Sequence, residues 1–183
     1  PAAFYSAMNF LGTHDTARIL TVLGTEHTPA TKAERAGYRL LPWERKLGIQ
    51  RLHLASLVLF TFPGSPMIYY GDEAGMEGFE DPLNRGSFPW GREDTQLVNW
   101  FARLGALRGG YPALQKGALS WLYTAGPLLI FAREDGKERL VTAVNASSQD
   151  QVVRLSWSAG SPQDLLSGEQ LACSDGILHL QLP

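Results

Sequence analysis

The change of texture near Tyr111-Pro112 constrains this chain more than any other feature of its sequence. Before it, short apolar runs alternate with helical stripes. Ala7 to Leu11, closed by Gly12, predicts a buried strand. Asp15 then precedes Thr16-Ala17-Arg18-Ile19-Leu20, with Leu23 and Gly24 beyond, which predicts a short capped helix with a glycine stop. The polar stretch from Thr25 to Arg39 predicts a loop or loosely helical excursion. Ile49, Leu52, Ser56 and Leu59 share one stripe, flanked by Leu57 and Phe60, and predict a longer helix ended by Pro63-Gly64. Pro66 to Tyr70 predicts a second buried strand. Asp72 to Glu93 has no periodicity, and so long an irregular loop is usually functional. Leu97, Trp100, Phe101, Leu104 and Leu107 mark another helix, stopped by Gly109-Gly110. After Pro112 only short strand-like runs follow: Trp121 to Tyr123, Leu128 to Ala132, Leu140 to Val144, Val152 to Trp157 and Ile177 to Leu182. Such spacing predicts an antiparallel sandwich or barrel. The expected division is an α/β part over 1–111 and an all-β domain over 112–183.

Composition narrows the classes of partner. A net charge of -2 without a basic run gives no support to nucleic-acid or acidic-membrane binding. The single cysteine, Cys173, excludes an internal disulfide and fits a reducing compartment, so a cytoplasmic location is expected. No apolar run approaches the roughly 20 residues that span a bilayer. The chain begins at Pro1 rather than methionine, and its natural amino terminus is expected upstream.

Three segments could carry chemistry, and each has an ordinary structural reading beside the functional one. In Asn9 to Arg18, Asp15 could simply cap a helix and His14 fill a polar gap. A carboxylate and an imidazole at the carboxy end of a strand could instead grip sugar hydroxyls, since β/α barrels build their active sites there. In Pro63 to Glu73, Asp72 and Glu73 are adjacent, and neighbours on an extended segment point to opposite faces. They are poor candidates for a paired acid and nucleophile. In Asp81 to Trp90, Asp81 and Arg85 could form a local salt bridge, although loops rich in aromatics, Asp and Arg are also what sugar sites use.

Together and in this order, the segments resemble the α-amylase family, especially its neopullulanase, cyclomaltodextrinase and maltogenic-amylase branch. Gly12-Thr13-His14-Asp15-Thr16-Ala17-Arg18 is similar to the family's last signature region, at the end of barrel strand seven. Thr13 stands where many amylases have Asn. Pro63 to Glu73, followed by Gly75-Met76-Glu77-Gly78, Asp81-Pro82, Asn84-Arg85 and Phe88-Pro89-Trp90, resembles strand eight and its loop. The resemblance implies the last two β/α units of a TIM (β/α)8 barrel over 1–111, then an antiparallel β-sandwich domain over 112–183. It implies that Asp15 is a catalytic carboxylate stabilising the transition state and that His14 donates to the same sugar. Asp81 and Arg85 would hold glucose units further along, and Arg18 would make a structural ion pair. α-Glucan oligosaccharides are the implied partners.

Retaining glycosidases place a nucleophile and an acid/base about 5–5.5 Å apart. The family supplies both from strands four and five, and no such segments occur here. A whole barrel takes about 250 residues. The expectation is therefore part of a retaining hydrolase of α-1,4 links in cyclodextrins, pullulan or maltooligosaccharides, inactive alone. The alternative is a non-catalytic carbohydrate-binding or interaction module. No cofactor is implied, because the family's calcium sites lie mainly in parts absent here. Unpaired barrel edges predict association with a second copy.

Overall fold

The computed structural model describes residues 2–136, 138–158 and 160–183, apart from the side chain of Ala2. They form two compact units: Pro1–Leu119 with Arg133–Leu140, and Ser120–Ala132 with Val141–Pro183. The first unit opens with α1 (Ala2–Tyr5), β1 (Met8–Phe10), α2 (Ile19–Gly24) and α3 (Lys32–Gly37). It continues through α4 (Pro42–Thr61), β2 (Ser65–Met67), α5 (Thr95–Gly110) and α6 (Pro112–Lys116).

β1 and β2 pair in parallel, Met8 opposite Ser65 and Phe10 opposite Met67. The Asn9 amide donates to the Pro63 carbonyl at 2.6 Å and ties the exit of α4 to β1. Both strands are shorter than expected, and β1 is not buried: Met8 is 61% and Phe10 49% exposed. The reason is the sheet itself. Among the described residues it has two strands, so each is flanked on one side only and little covers its side chains.

The helices carry the core. Leu20 of α2, Leu52, Leu59 and Phe60 of α4, and Leu97, Phe101 and Leu104 of α5 are buried together. α2 and α4 meet backbone to backbone. A Cβ on Gly24 would lie 2.7 Å from the Glu44 carbonyl oxygen, and one on Gly48 would lie 3.0 Å from the Leu20 carbonyl oxygen. Gly24 is thus a contact point as well as a helix end. α4 starts well before its apolar stripe, at Pro42, because proline suits the first turn and the buried Glu44 accepts the Leu41 N–H at 2.8 Å. Its last turn delivers carbonyls to two arginines. Arg108 donates to Phe60 O at 2.7 Å, and buried Arg133 donates to Thr61 O at 2.7 Å. These donors satisfy acceptors that a helix end leaves open. Burial lowers both guanidinium pKa values, and the charge of Arg108 lowers that of Arg133 further.

Two local expectations are corrected. Asp15 does not cap α2: the helix starts after Arg18, whose N–H bonds the Gly78 carbonyl at 2.8 Å. The capping aspartate is Asp94, which accepts from Leu97 N–H at the start of α5. α5 also runs through Gly109-Gly110, and α6 follows at once, so the start of the expected all-β half is helical.

β3 (Ala118–Ala125), β4 (Leu128–Glu134) and β5 (Arg139–Asn145) form one sheet in that order. β6 (Gln151–Ser156), β7 (Cys173–Ser174) and β8 (Ile177–Leu182) form another, in the order β6-β8-β7. β6 and β8 are antiparallel, with Gln151 opposite Leu182 and Ser156 opposite Ile177. Leu128 and Ile130 of β4 share a core with Val153, Leu155, Leu178 and Leu180 of the other sheet. Among the described residues no helix is long and apolar enough to cross a membrane.

Candidate active site

The segment after β1 makes a tight turn whose bonds come from its own threonines. Thr13 N–H donates to Thr16 Oγ1 at 2.9 Å, and Asp15 N–H donates to Thr13 Oγ1 at 3.2 Å. These local bonds are the ordinary turn chemistry of threonine. They leave His14 and Asp15 at the surface, with His14 Nε2 3.3 Å from Asp15 Oδ1 and side chains 61% and 75% exposed. The carboxylate is free of backbone duty and open to a ligand hydroxyl.

Beneath the turn lies a buried layer. Arg18 is 1% exposed; its Nε donates to the Asn84 carbonyl at 2.8 Å and its Nη1 to the Tyr70 carbonyl. Nη1 also pairs with Asp72 Oδ1 at 3.1 Å, which is the structural ion pair expected of Arg18. The guanidinium carbon stands 4.3 Å from the Tyr69 ring centroid and 4.6 Å from that of Tyr70, a cation–π arrangement with both rings. Burial raises the Asp72 pKa to about 6; Arg18 opposes the shift, and neighbouring Glu73 adds to it. Asn84 is fully buried as well. Its Nδ2 donates to the His14 carbonyl at 2.8 Å and to the Thr16 carbonyl at 2.7 Å.

Asp72 and Glu73 do point to different partners, but not for the reason expected. The chain leaves the strand after Met67 and turns with Gly71 at φ +86° and Gly75 at φ +75°. Within that turn Glu73 Oε2 accepts the Gly71 N–H at 2.8 Å, while Asp72 faces Arg18. Neither is free to attack a sugar.

Asp81 and Arg85 form an exposed ion pair through Arg85 Nε and Asp81 Oδ1. Tyr70 Oη donates to the Gly86 carbonyl at 2.9 Å and moors this loop to the segment after β2. Beyond it Trp90 is 80% exposed, its ring 4.5 Å from that of Phe88. The structure thus links all four expected residues to one scaffold: His14 and Asp15 sit on a turn held by Asn84, and Asn84 lies between Asp81 and Arg85. Sequence reasoning quoted Asn84 beside Arg85 but gave it no role. Its one signal was its place inside Asp81-Pro82-Leu83-Asn84-Arg85. Among the described residues no group of three His, Cys, Asp or Glu could hold a metal ion.

Loops that follow the carboxy ends of parallel strands are where β/α barrels build their active sites. Residues 3–161 match the family model described as alpha amylase, catalytic domain, and the chain belongs to the α-amylase family. It is 36% identical to an amylopullulanase of Thermoanaerobacter thermohydrosulfuricus, over 98% of this chain and 13% of that protein. It is 32% identical to a cyclomaltodextrinase of Geobacillus thermopakistaniensis, over 97% of this chain and 28% of that protein. Among solved structures, an Anoxybacillus α-amylase superposes with a TM-score of 0.78 at 30% identity, over 97% of this chain and 36% of that one. The chain therefore spans about an eighth to a third of the length of these relatives.

Proposed function

We propose that this chain forms part of a retaining α-glucan hydrolase that cleaves α-1,4 links of cyclodextrins, pullulan or maltooligosaccharides. The observation that carries the proposal is the exposed His14–Asp15 pair, anchored on a buried layer that also holds the loop of Asp81 and Arg85. In that enzyme Asp15 faces the sugar at the bond being cleaved. Its charge favours the developing oxocarbenium ion, and its oxygens accept sugar hydroxyls. His14 donates to hydroxyls of the same sugar. Asp81 and Arg85 bind units further from the cleavage point. Residues 1–111 supply the last two β/α units of the barrel, and 112–183 supply the carboxy-terminal β-sandwich domain.

The nucleophile and acid/base belong to other segments of the enzyme, so the 183-residue chain alone binds at most part of a sugar. The intact enzyme is expected to hydrolyse maltotriose or a cyclodextrin, and the isolated chain to release no reducing sugar above buffer. Hydrolysis that copurifies with the isolated chain would contradict this reading. An intact protein that binds oligosaccharide without cleaving it would favour a binding module. The open edges of β1 and β2 also support self-association of the isolated chain. Light scattering should show oligomers, and a monodisperse monomer would argue against it.

A further inference from the structure

We propose that Asn84 is a positioning residue that fixes the His14–Asp15 turn against the loop of Asp81 and Arg85; this rests on the role assigned to Asp15. Its primary amide carries two N–H donors. Both are spent on one turn, on the carbonyls of His14 and Thr16, the two residues that bracket Asp15. Its own main-chain carbonyl accepts from Arg18 Nε. Asn84 therefore grips residues 14, 16 and 18 from a loop about seventy positions away. Being fully buried, it meets no sugar and acts through Asp15.

The geometry calls for two N–H donors here, while the Asn84 Oδ1 is buried without a hydrogen-bond partner. An ionised aspartate has the shape but no donor, leucine has the volume but no polar atom, and alanine reaches neither carbonyl. Without the amide, two carbonyls lose their partners and the turn is free to shift. Misplacing a reacting group by about 1 Å costs about 10²-fold in rate.

The test uses the intact enzyme, with maltotriose as substrate, and four variants: Asn84→Ala, Asn84→Asp, Asp15→Asn and the double variant Asp15→Asn/Asn84→Ala. Asn84→Ala is expected to lower kcat about 10²-fold, by more than it raises KM. In the double variant kcat should be no lower than in Asp15→Asn alone, because the turn no longer presents the group it exists to place. Asn84→Asp should regain activity relative to the unmodified enzyme as pH falls, since a protonated carboxyl offers one O–H donor. That comparison decides the matter if Asn84→Ala fails to fold. A near-normal kcat in Asn84→Ala, losses that multiply in the double variant, or a pH-independent Asn84→Asp ratio would each overturn the positioning role. If Asp15→Asn itself keeps a normal kcat, the role of Asp15 falls and this inference with it. A crippled Asp15→Asn beside an unimpaired Asn84→Ala removes the inference alone.

Discussion

Two of the Arg–Asp pairs near the site, Arg18–Asp72 and Arg85–Asp81, differ in almost every physical respect. Arg18–Asp72 is buried, with side chains 0% and 5% exposed, and its guanidinium also reaches two carbonyls and two aromatic rings. Arg85–Asp81 stands in solvent, with side chains 46% and 53% exposed. A buried pair fixes geometry, because either partner alone would be a charge stranded away from water. An exposed pair adds little stability but keeps both charges available to a ligand. The contrast separates the groups that hold the turn and loop together from the groups left open to a ligand.

The largest stability effect should come from the buried pair. Arg18→Ala leaves the Asp72 carboxylate without its cation and two carbonyls without a donor. A loss of about 3–5 kcal/mol is expected, or failure to fold. Urea melts of the chain measure it, and a change below about 1 kcal/mol would mean that the pair is not what holds this layer. A smaller effect should follow pH. Asp72 has a folded-state pKa of about 6, above its ordinary 3.8, so the folded state holds the proton more tightly than the unfolded chain does. Its contribution to stability is complete below the ordinary value and is lost as pH rises through about 6. Asp72→Asn does not titrate. The stability of the native chain relative to that variant should therefore decline from pH 4 to pH 6, as followed by thermal melts, and a flat difference would contradict it. The smallest effect on the fold belongs to the exposed pair. Asp81→Ala or Arg85→Ala should change stability by less than about 1 kcal/mol. In the intact enzyme each should raise KM and alter product length while leaving kcat nearly unchanged. A fall in kcat alone would place the pair at the reacting bond instead.

Much of this was legible in the sequence, for identifiable reasons. α4 and α5 announce themselves because Leu52 and Leu59, or Leu97, Phe101 and Leu104, recur on one buried face. The His14–Asp15 turn was visible as two polar residues at the end of an apolar run. The cap assigned to Asp15 failed because a local rule lost to a distant contact. The Arg18 backbone is extended, with φ −57° and ψ 133°, its N–H bonds the Gly78 carbonyl and its side chain turns inward, so the helix begins only after it. Pro42 and Glu44, which start α4, lie between the polar stretch that ends at Arg39 and the stripe that begins at Ile49, and were passed over. Asn84 was harder still, since its partners stand 68 and 70 positions away in the chain and no local pattern marks them.

Asp15→Asn in the intact enzyme tests the central claim most directly. The change is nearly isosteric, and Asp15 is exposed and caps no helix, so stability should move by less than about 0.5 kcal/mol. In the proposed role it removes a fixed negative charge beside a developing cation, which is typically worth on the order of 10²–10³ in kcat. The account predicts at least that loss, with an unchanged melting temperature and a much smaller change in oligosaccharide binding. A near-normal kcat, with or without a fall in melting temperature, would contradict it.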